Sequence, residues 1–313
     1  MPKNFQAIYK FKAYDFIVIS FYIFLIVLNL LFHNRIAYWQ TFIILNVLTI
    51  IVVFLLAYSA ETYRYKILRI IHYFYLIPLV LLTFKEVYFL IRPIRPNDYD
   101  NLLIHIDRWI FGVDPTVFLY QFSHPVITEI LQIIYGMFYF LPIILAIALL
   151  RKRKLVVADF AIFTVIYGFF LSYIGYFTLP AIGPRFTLHN FQNENIELPG
   201  LLITNFLRDV TNAVESIPRG TLNPESIVQR DVFPSGHTMI TLVVIYLSIK
   251  LKSRSRYFLV PVGTLLIFAT VYLRYHYVID LIGGLVFMLF CVFTSPIIFN
   301  WWSRLTGREE INF

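Results

Sequence analysis

The sequence predicts an all-α integral membrane protein with about eight transmembrane helices, on three observations. Of its 313 residues, 59% are hydrophobic and only 14% charged, where a soluble domain carries roughly a quarter charged. Several apolar runs reach or approach the roughly 20 residues with which a helix crosses a bilayer. In hydrocarbon the backbone must satisfy its own hydrogen bonds, and long apolar runs do so as a helical bundle.

The runs place spans near 14–33, 40–58, 68–90, 126–150, 155–180, 236–250, 257–273 and 277–299. The first follows MPKNFQAIYKFKAYD and has no small-residue cleavage site after it, so it reads as a retained helix and not a signal peptide. Between the third and fourth spans lies an outer segment, Arg92 to Pro125. There the spacing of Leu102, Leu103, Ile106, Trp109 and Ile110 predicts a short amphipathic helix at the membrane interface. The fourth and fifth spans flank RKRK (Arg151 to Lys154). A second outer segment, Ala181 to Asp231, has apolar residues at helical spacing from Leu201 to Val214, as suits a helix on the membrane surface or over a site. The last three spans are shorter or closely connected. One membrane domain is expected, with N-terminal helices and an interfacial segment over 1–125, a core over 126–300 and a cytoplasmic tail over 301–313. The single cysteine, Cys291, excludes an intramolecular disulfide.

The net charge of +8 does not point to nucleic acid. With both termini cytoplasmic, the inner segments hold 16 Lys/Arg against 5 Asp/Glu, and the outer segments 10 against 13. That asymmetry is the positive-inside pattern, so the charge encodes topology. Nine of the ten outer cations are arginine, Lys85 being the exception. Planar guanidinium groups grip phosphate oxygens in two-point fashion.

This topology brings three short segments to the extracytoplasmic face. LPAIGPRF ends the fifth span and carries Arg185; FPSGHT opens the sixth with Ser235, Gly236 and His237; YLRYHYVIDLIGG opens the eighth with Arg274, His276 and Asp280. His276 and Asp280 are four residues apart, one helical turn, so the carboxylate can orient the imidazole as a nucleophile. Ser235 and Gly236 stand at a helix N-terminus, where free N–H groups favour an anion and Gly lets the backbone approach it. His237 is placed to protonate a leaving oxygen, while Arg185 and Arg274 supply charge for phosphoryl oxygens. Taken singly, Ser235 is a helix cap and Gly283–Gly284 a packing device. An ionisable Asp280 one turn inside a span, however, asks for a functional partner, and His276 is that partner. The combination describes phosphoryl transfer through a phosphohistidine, with no metal and no cofactor.

These residues resemble the type 2 phosphatidic acid phosphatase superfamily, which also includes vanadium haloperoxidases. Its PSGH signature stands as Pro234–His237, and its histidine followed four residues later by aspartate stands as His276 and Asp280. The resemblance implies a helical-bundle catalytic core in which His276 is the nucleophile, Asp280 orients it and His237 is the general acid. The family's first signature, K-x6-R-P, occurs literally at KEVYFLIRP, Lys85 to Pro93, but two spans too early. GPRF with Arg185 takes the expected place, and Lys85 and Arg92 are additional candidates only. The Ser-Arg that commonly precedes the nucleophile is Ala269–Thr270 here. TVYLRYHYVID and LLIHIDRWIFGVDP are similar to the inositol phosphorylceramide synthase branch, whose members move a phospho-headgroup to a lipid.

The expected protein is therefore a lipid phosphatase or phosphotransferase in a plasma or inner membrane. Its partners would be a lipid phosphate and an acceptor: water, a lipid or a polyol. The competing class, a lipid or small-molecule transporter or scramblase, predicts inverted repeats and polar groups in broken helices. Neither is evident in the sequence; Pro78 and Pro142 interrupt spans without charged neighbours.

Overall fold

A computed structural model describes residues 8–63, 65–152 and 155–312. Arg153 and Lys154 of the basic loop lie outside these. The described residues form an all-helical membrane protein. In chain order the helices are α1 (Ala13–Leu31), α2 (Trp39–Tyr63), α3 (Lys66–Phe74), α4 (Leu76–Ile94), α5 (Asp100–Phe111), α6 (Pro115–Tyr120), α7 (Pro125–Gly136) and α8 (Phe140–Arg151). They continue with α9 (Leu155–Gly175), the single turns α10 (Pro184–Thr187) and α11 (Glu194–Glu197), then α12 (Thr204–Val214), α13 (Gly236–Lys250), α14 (Arg256–Tyr272) and α15 (Val278–Leu305).

Each of the eight expected spans has a counterpart. Among the described residues five helical stretches are long and apolar enough to cross a membrane, with α3 and α4 together making one. The α7–α8 pair makes a span bent by 53°, and α13 and α14 are shorter apolar helices. The bend falls at 137–139, just before Pro142, whose missing N–H and ring disfavour a continuous helix there.

The chain forms two compact units, and α8, α9 and α15 each contribute to both. The first comprises Met1–Pro96, Leu149–Leu171 and Phe290–Phe313. Here α1 packs on α2, and the few polar side chains within apolar helices find one another. Glu86 accepts hydrogen bonds from the side-chain amides of Asn29 (3.1 Å) and Asn46 (2.7 Å). Asp15 takes His72 (2.9 Å) and the Tyr75 hydroxyl (2.8 Å), and Lys12 pairs with Asp159 (3.0 Å). Such pairing is what makes polar groups tolerable away from water.

The second unit comprises Asn97–Ala148 and Ser172–Leu289. One of its cores gathers Leu131, Tyr135, Leu198, Ala269, Tyr272, Leu273 and Tyr275; another gathers Leu103, Ile104, Ala181, Val232 and Tyr277. The amphipathic α5 is present, with Leu102, Trp109 and Ile110 exposed. Its opposite face buries Asp100, Leu103, Ile104 and Asp107 at helical spacing. Helix α12 likewise exposes Phe206 and Val210 and buries Thr204 and Arg208, with exposed Leu202 just before it.

Candidate active site

The second unit holds its functional side chains by capping helix starts with carboxylates borrowed from elsewhere in the chain. The first N–H groups of any helix lack intrahelical acceptors. At the start of α15, Asp107 accepts from Val278 and Ile279 (2.8 Å each), and Asp280 reaches back to the Tyr277 N–H (2.7 Å). Asp100 accepts from Ile182 (3.0 Å), Gly183 (2.8 Å) and the Tyr277 hydroxyl (2.8 Å). One buried face of α5 thus fixes both the turn before Arg185 and the start of the helix that carries Asp280. Glu129 of α7 does the same for α12, accepting from Leu201 (2.8 Å), Ile203 (2.8 Å) and the Thr204 hydroxyl (2.5 Å).

Helix α13 begins at Ser235, whose Oγ accepts from the Thr238 N–H (3.1 Å). Ser235 N–H donates to the Asp280 carbonyl (3.0 Å), which ties the two motif segments together. The contact is close enough to require glycine. A Cβ on Gly284 would lie 2.7 Å from the Ser235 carbonyl oxygen, and one on Gly236 would collide with the Tyr176 hydroxyl. The helix geometry leaves the Gly236 and His237 N–H groups without intrahelical acceptors.

His237, His276 and Arg185 line one cavity together with Tyr135, Tyr275, Glu215, Gln229, Asp231 and neighbouring apolar residues. The two histidine rings lie 5.7 Å apart, centroid to centroid. His276 Nδ1 is 3.4 Å from Asp280 Oδ2, within ion-pair range but longer than a good hydrogen bond. Among the described residues, His276 Nδ1 and Asp280 Oδ1 are buried without a hydrogen-bond partner. Burial holds the His276 pKa well below the usual imidazole value, reinforced by His237 and opposed by the Val232 backbone. A neutral ring is the form that can attack phosphorus.

Four planar groups form a continuous stack beside the histidines. The Arg185 guanidinium lies 4.4 Å from the Tyr275 ring, Tyr275 lies 4.3 Å from Tyr135, and Tyr135 lies 4.7 Å from His237. Burial pushes the Tyr275 hydroxyl up to about 12, with Arg185 opposing. Arg185 is 3% exposed and already engaged: it pairs with Glu215 and donates to Asn212 (3.0 Å), with Glu194 at 3.8 Å. Burial alone would depress its pKa, but Glu215 and Glu194 reverse the sign and raise it. The cavity has only about 10 Å³ of open space, room for about one water.

The structure thus brings Arg185, Ser235, Gly236, His237, His276 and Asp280 together. Arg274 is turned elsewhere. Its backbone is left-handed (φ 67°), its side chain pairs with Glu197 over the Tyr120 ring, and it does not line the cavity. Lys85 and Arg92 lie on α4 of the first unit, and neither lines the cavity. Among the described residues no group of three or more His, Cys, Asp and Glu could hold a metal ion.

Sequence reasoning missed Asp100, Asp107, Glu129, Tyr135 and Glu215. The one available signal was Asp100 and Asp107, two acids seven residues apart on the side of α5 away from its apolar stripe.

A family model described as the PAP2 superfamily matches residues 101–294, well over half of the chain. The match starts beyond Lys85 and Arg92 and spans α5 to most of α15. No curated protein and no solved structure matches the chain.

Proposed function

The chain belongs to the PAP2 superfamily, whose members are phosphoesterases and phosphotransferases, and on that premise we propose a membrane lipid phosphatase or phosphotransferase working through a phosphohistidine. The observation that carries the reading is that both motif histidines and Arg185 line one buried cavity.

In the first step a nitrogen of neutral His276 attacks phosphorus, the ester P–O bond breaks, and the leaving oxygen takes a proton from His237. Asp280 stabilises the positive charge that develops on His276. Arg185 and the N-terminus of α13 hold the phosphoryl oxygens as charge redistributes over them. In the second step an acceptor hydroxyl gives its proton to His237 and attacks phosphorus. The N–P bond breaks, and both histidines return to their starting states. The chemistry comes from side chains and backbone, with no cofactor.

Water as acceptor makes a phosphatase; a lipid or polyol hydroxyl makes a transferase, as the likeness to inositol phosphorylceramide synthases implies. Transfer would be favoured by cover that shields the intermediate from water, and α12, whose C-cap Glu215 lines the cavity, is the segment placed to give it. We place the site on the extracytoplasmic side of a plasma or inner membrane, with both termini cytoplasmic.

The test incubates purified protein with labelled lipid phosphates and no added metal, following free phosphate and new lipid species together. Wild type is expected to form one or both, and His276→Ala to lose at least about 10³-fold in rate. Free phosphate alone would assign the phosphatase, and a phospholipid that needs an added acceptor the transferase. No product from wild type across the panel would sink the reading in favour of a transporter.

A further inference from the structure

The cavity poses a problem for its own proposed chemistry. Arg185 lines the cavity with the two histidines, yet its polar edge is already occupied. One Nη pairs with Glu215, the other donates to Asn212, and the rings of Tyr275 (4.4 Å), Phe186 (5.1 Å) and Phe191 (5.4 Å) lie about the group. Glu215 itself lines the cavity with His237 and His276. A carboxylate and a phosphoryl edge offer Arg the same paired oxygens. The open space of about 10 Å³ holds little more than one water, and the Glu215 carboxylate occupies the Arg185 edge on which a phosphoryl group would dock.

We propose that Glu215 is an internal substitute for phosphate, occupying the oxyanion position on Arg185 when the site is empty and setting the affinity of the site for any phosphoryl ligand. The inference rests on reading the cavity as a phosphoryl site. Its physical content is a competition. Only the fraction of molecules with Glu215 displaced can bind, so the apparent dissociation constant is the intrinsic one divided by that fraction. The reduction applies equally to substrate and to released phosphate, so the device lowers product retention as much as it raises the concentration of substrate needed. Between turnovers it also supplies Arg185 with a counter-charge, so that a buried guanidinium is never left unpaired.

The position of Glu215 in the fold fits this role. It is the C-cap of α12, followed by Ser216 in a left-handed conformation (φ 68°). The opposite end of α12 is anchored by five hydrogen bonds to the Glu129 carboxylate. The outer face of the helix carries exposed Phe206 and Val210, so a swing of the Glu215 end would break few packing contacts on that side.

The test is binding of inorganic phosphate to the full-length protein in detergent by titration calorimetry, with wild type, Glu215→Gln and Glu215→Asp. Replacing a charge-assisted bond to Arg185 by a neutral one should tighten phosphate binding by about tenfold in Glu215→Gln. Glu215→Asp keeps the charge but shortens its reach; it should gain less, and it covers the case that the Gln variant does not fold. With any lipid phosphate that is turned over, Glu215→Gln should lower KM and strengthen inhibition by phosphate. Phosphate binding that is unchanged or weaker in both folded variants would overturn this inference alone, making Glu215 a support for Arg185. No binding to wild type or to either variant would overturn it together with the phosphoryl-site reading.

Discussion

Among the described residues are two buried His–Asp pairs, one in each unit, and they are built differently. His72 and Asp15 come from separate helices, 57 positions apart, and meet at 2.9 Å. Asp15 also accepts from the Lys12 N–H (2.9 Å) and the Tyr75 hydroxyl. That carboxylate is saturated. His276 and Asp280 are neighbours on one chain segment, 3.4 Å apart, with one nitrogen of the ring and one oxygen of the acid unpartnered among the described residues. A histidine beside an aspartate is therefore not in itself a mark of chemistry. What distinguishes the second pair is unspent hydrogen-bonding capacity, held next to another histidine and an arginine. Buried groups left in that state are costly, and a fold keeps them where a ligand or a reaction will use them.

The comparison can be broken most directly by exchanging the two acids for their amides. Asp280→Asn should lower kcat by about 10²–10⁴-fold, because an amide can neither fix the tautomer nor stabilise the charged ring, while the stability loss should be confined to one weakened capping bond to the Tyr277 N–H. Asp15→Asn should do the reverse, lowering the unfolding temperature while turnover per folded molecule stays within a few-fold. Equal kinetic losses in the two variants would erase the distinction.

A pH profile sharpens it. Burial lowers the His276 pKa in the folded protein, so the neutral nucleophile persists below pH 6.5. The acid limb of kcat/KM assigned to His276 should fall below that value, and a limb at or above 6.5 would contradict the assignment. The linked stability has a definite sign. The unfolded chain takes up this proton near pH 6.5 and the folded chain only at lower pH, so folding loses stability as pH drops through that window.

The smallest expected effect concerns the support behind the second pair. Asp107→Asn removes the charge from two helix-capping hydrogen bonds and should cost about 1–3 kcal/mol, measured by denaturant unfolding. A modest loss of kcat should accompany it as the start of α15 loosens. An Asp107→Asn protein as stable as wild type would mean that the Asp280 cap holds the helix start unaided.

The spans and motif residues were legible because they depend on short-range pattern. Hydropathy marks a helix within one window, and PSGH and HYVID are contiguous strings. What escaped detection depends on chain segments far apart. Glu129 caps a helix more than 70 positions away, and Asp107 one more than 170 positions away; no local period announces either. Tyr135 reaches His237 because the span that carries it breaks just after Gly136. Arg274, two residues from His276 in sequence, was expected beside it; its backbone is left-handed and its side chain pairs with Glu197, 77 positions away, a contact no local pattern announces.

The stack of Arg185, Tyr275, Tyr135 and His237 has one more consequence. Two aromatic rings lie between the Arg185 guanidinium and the His237 imidazole, so their spacing is set by the thickness of the rings and not by flexible side chains. The stack works as a gauge block. It fixes how far the guanidinium lies from the imidazole before any ligand arrives, and a side chain of different thickness at either tyrosine would reset that spacing.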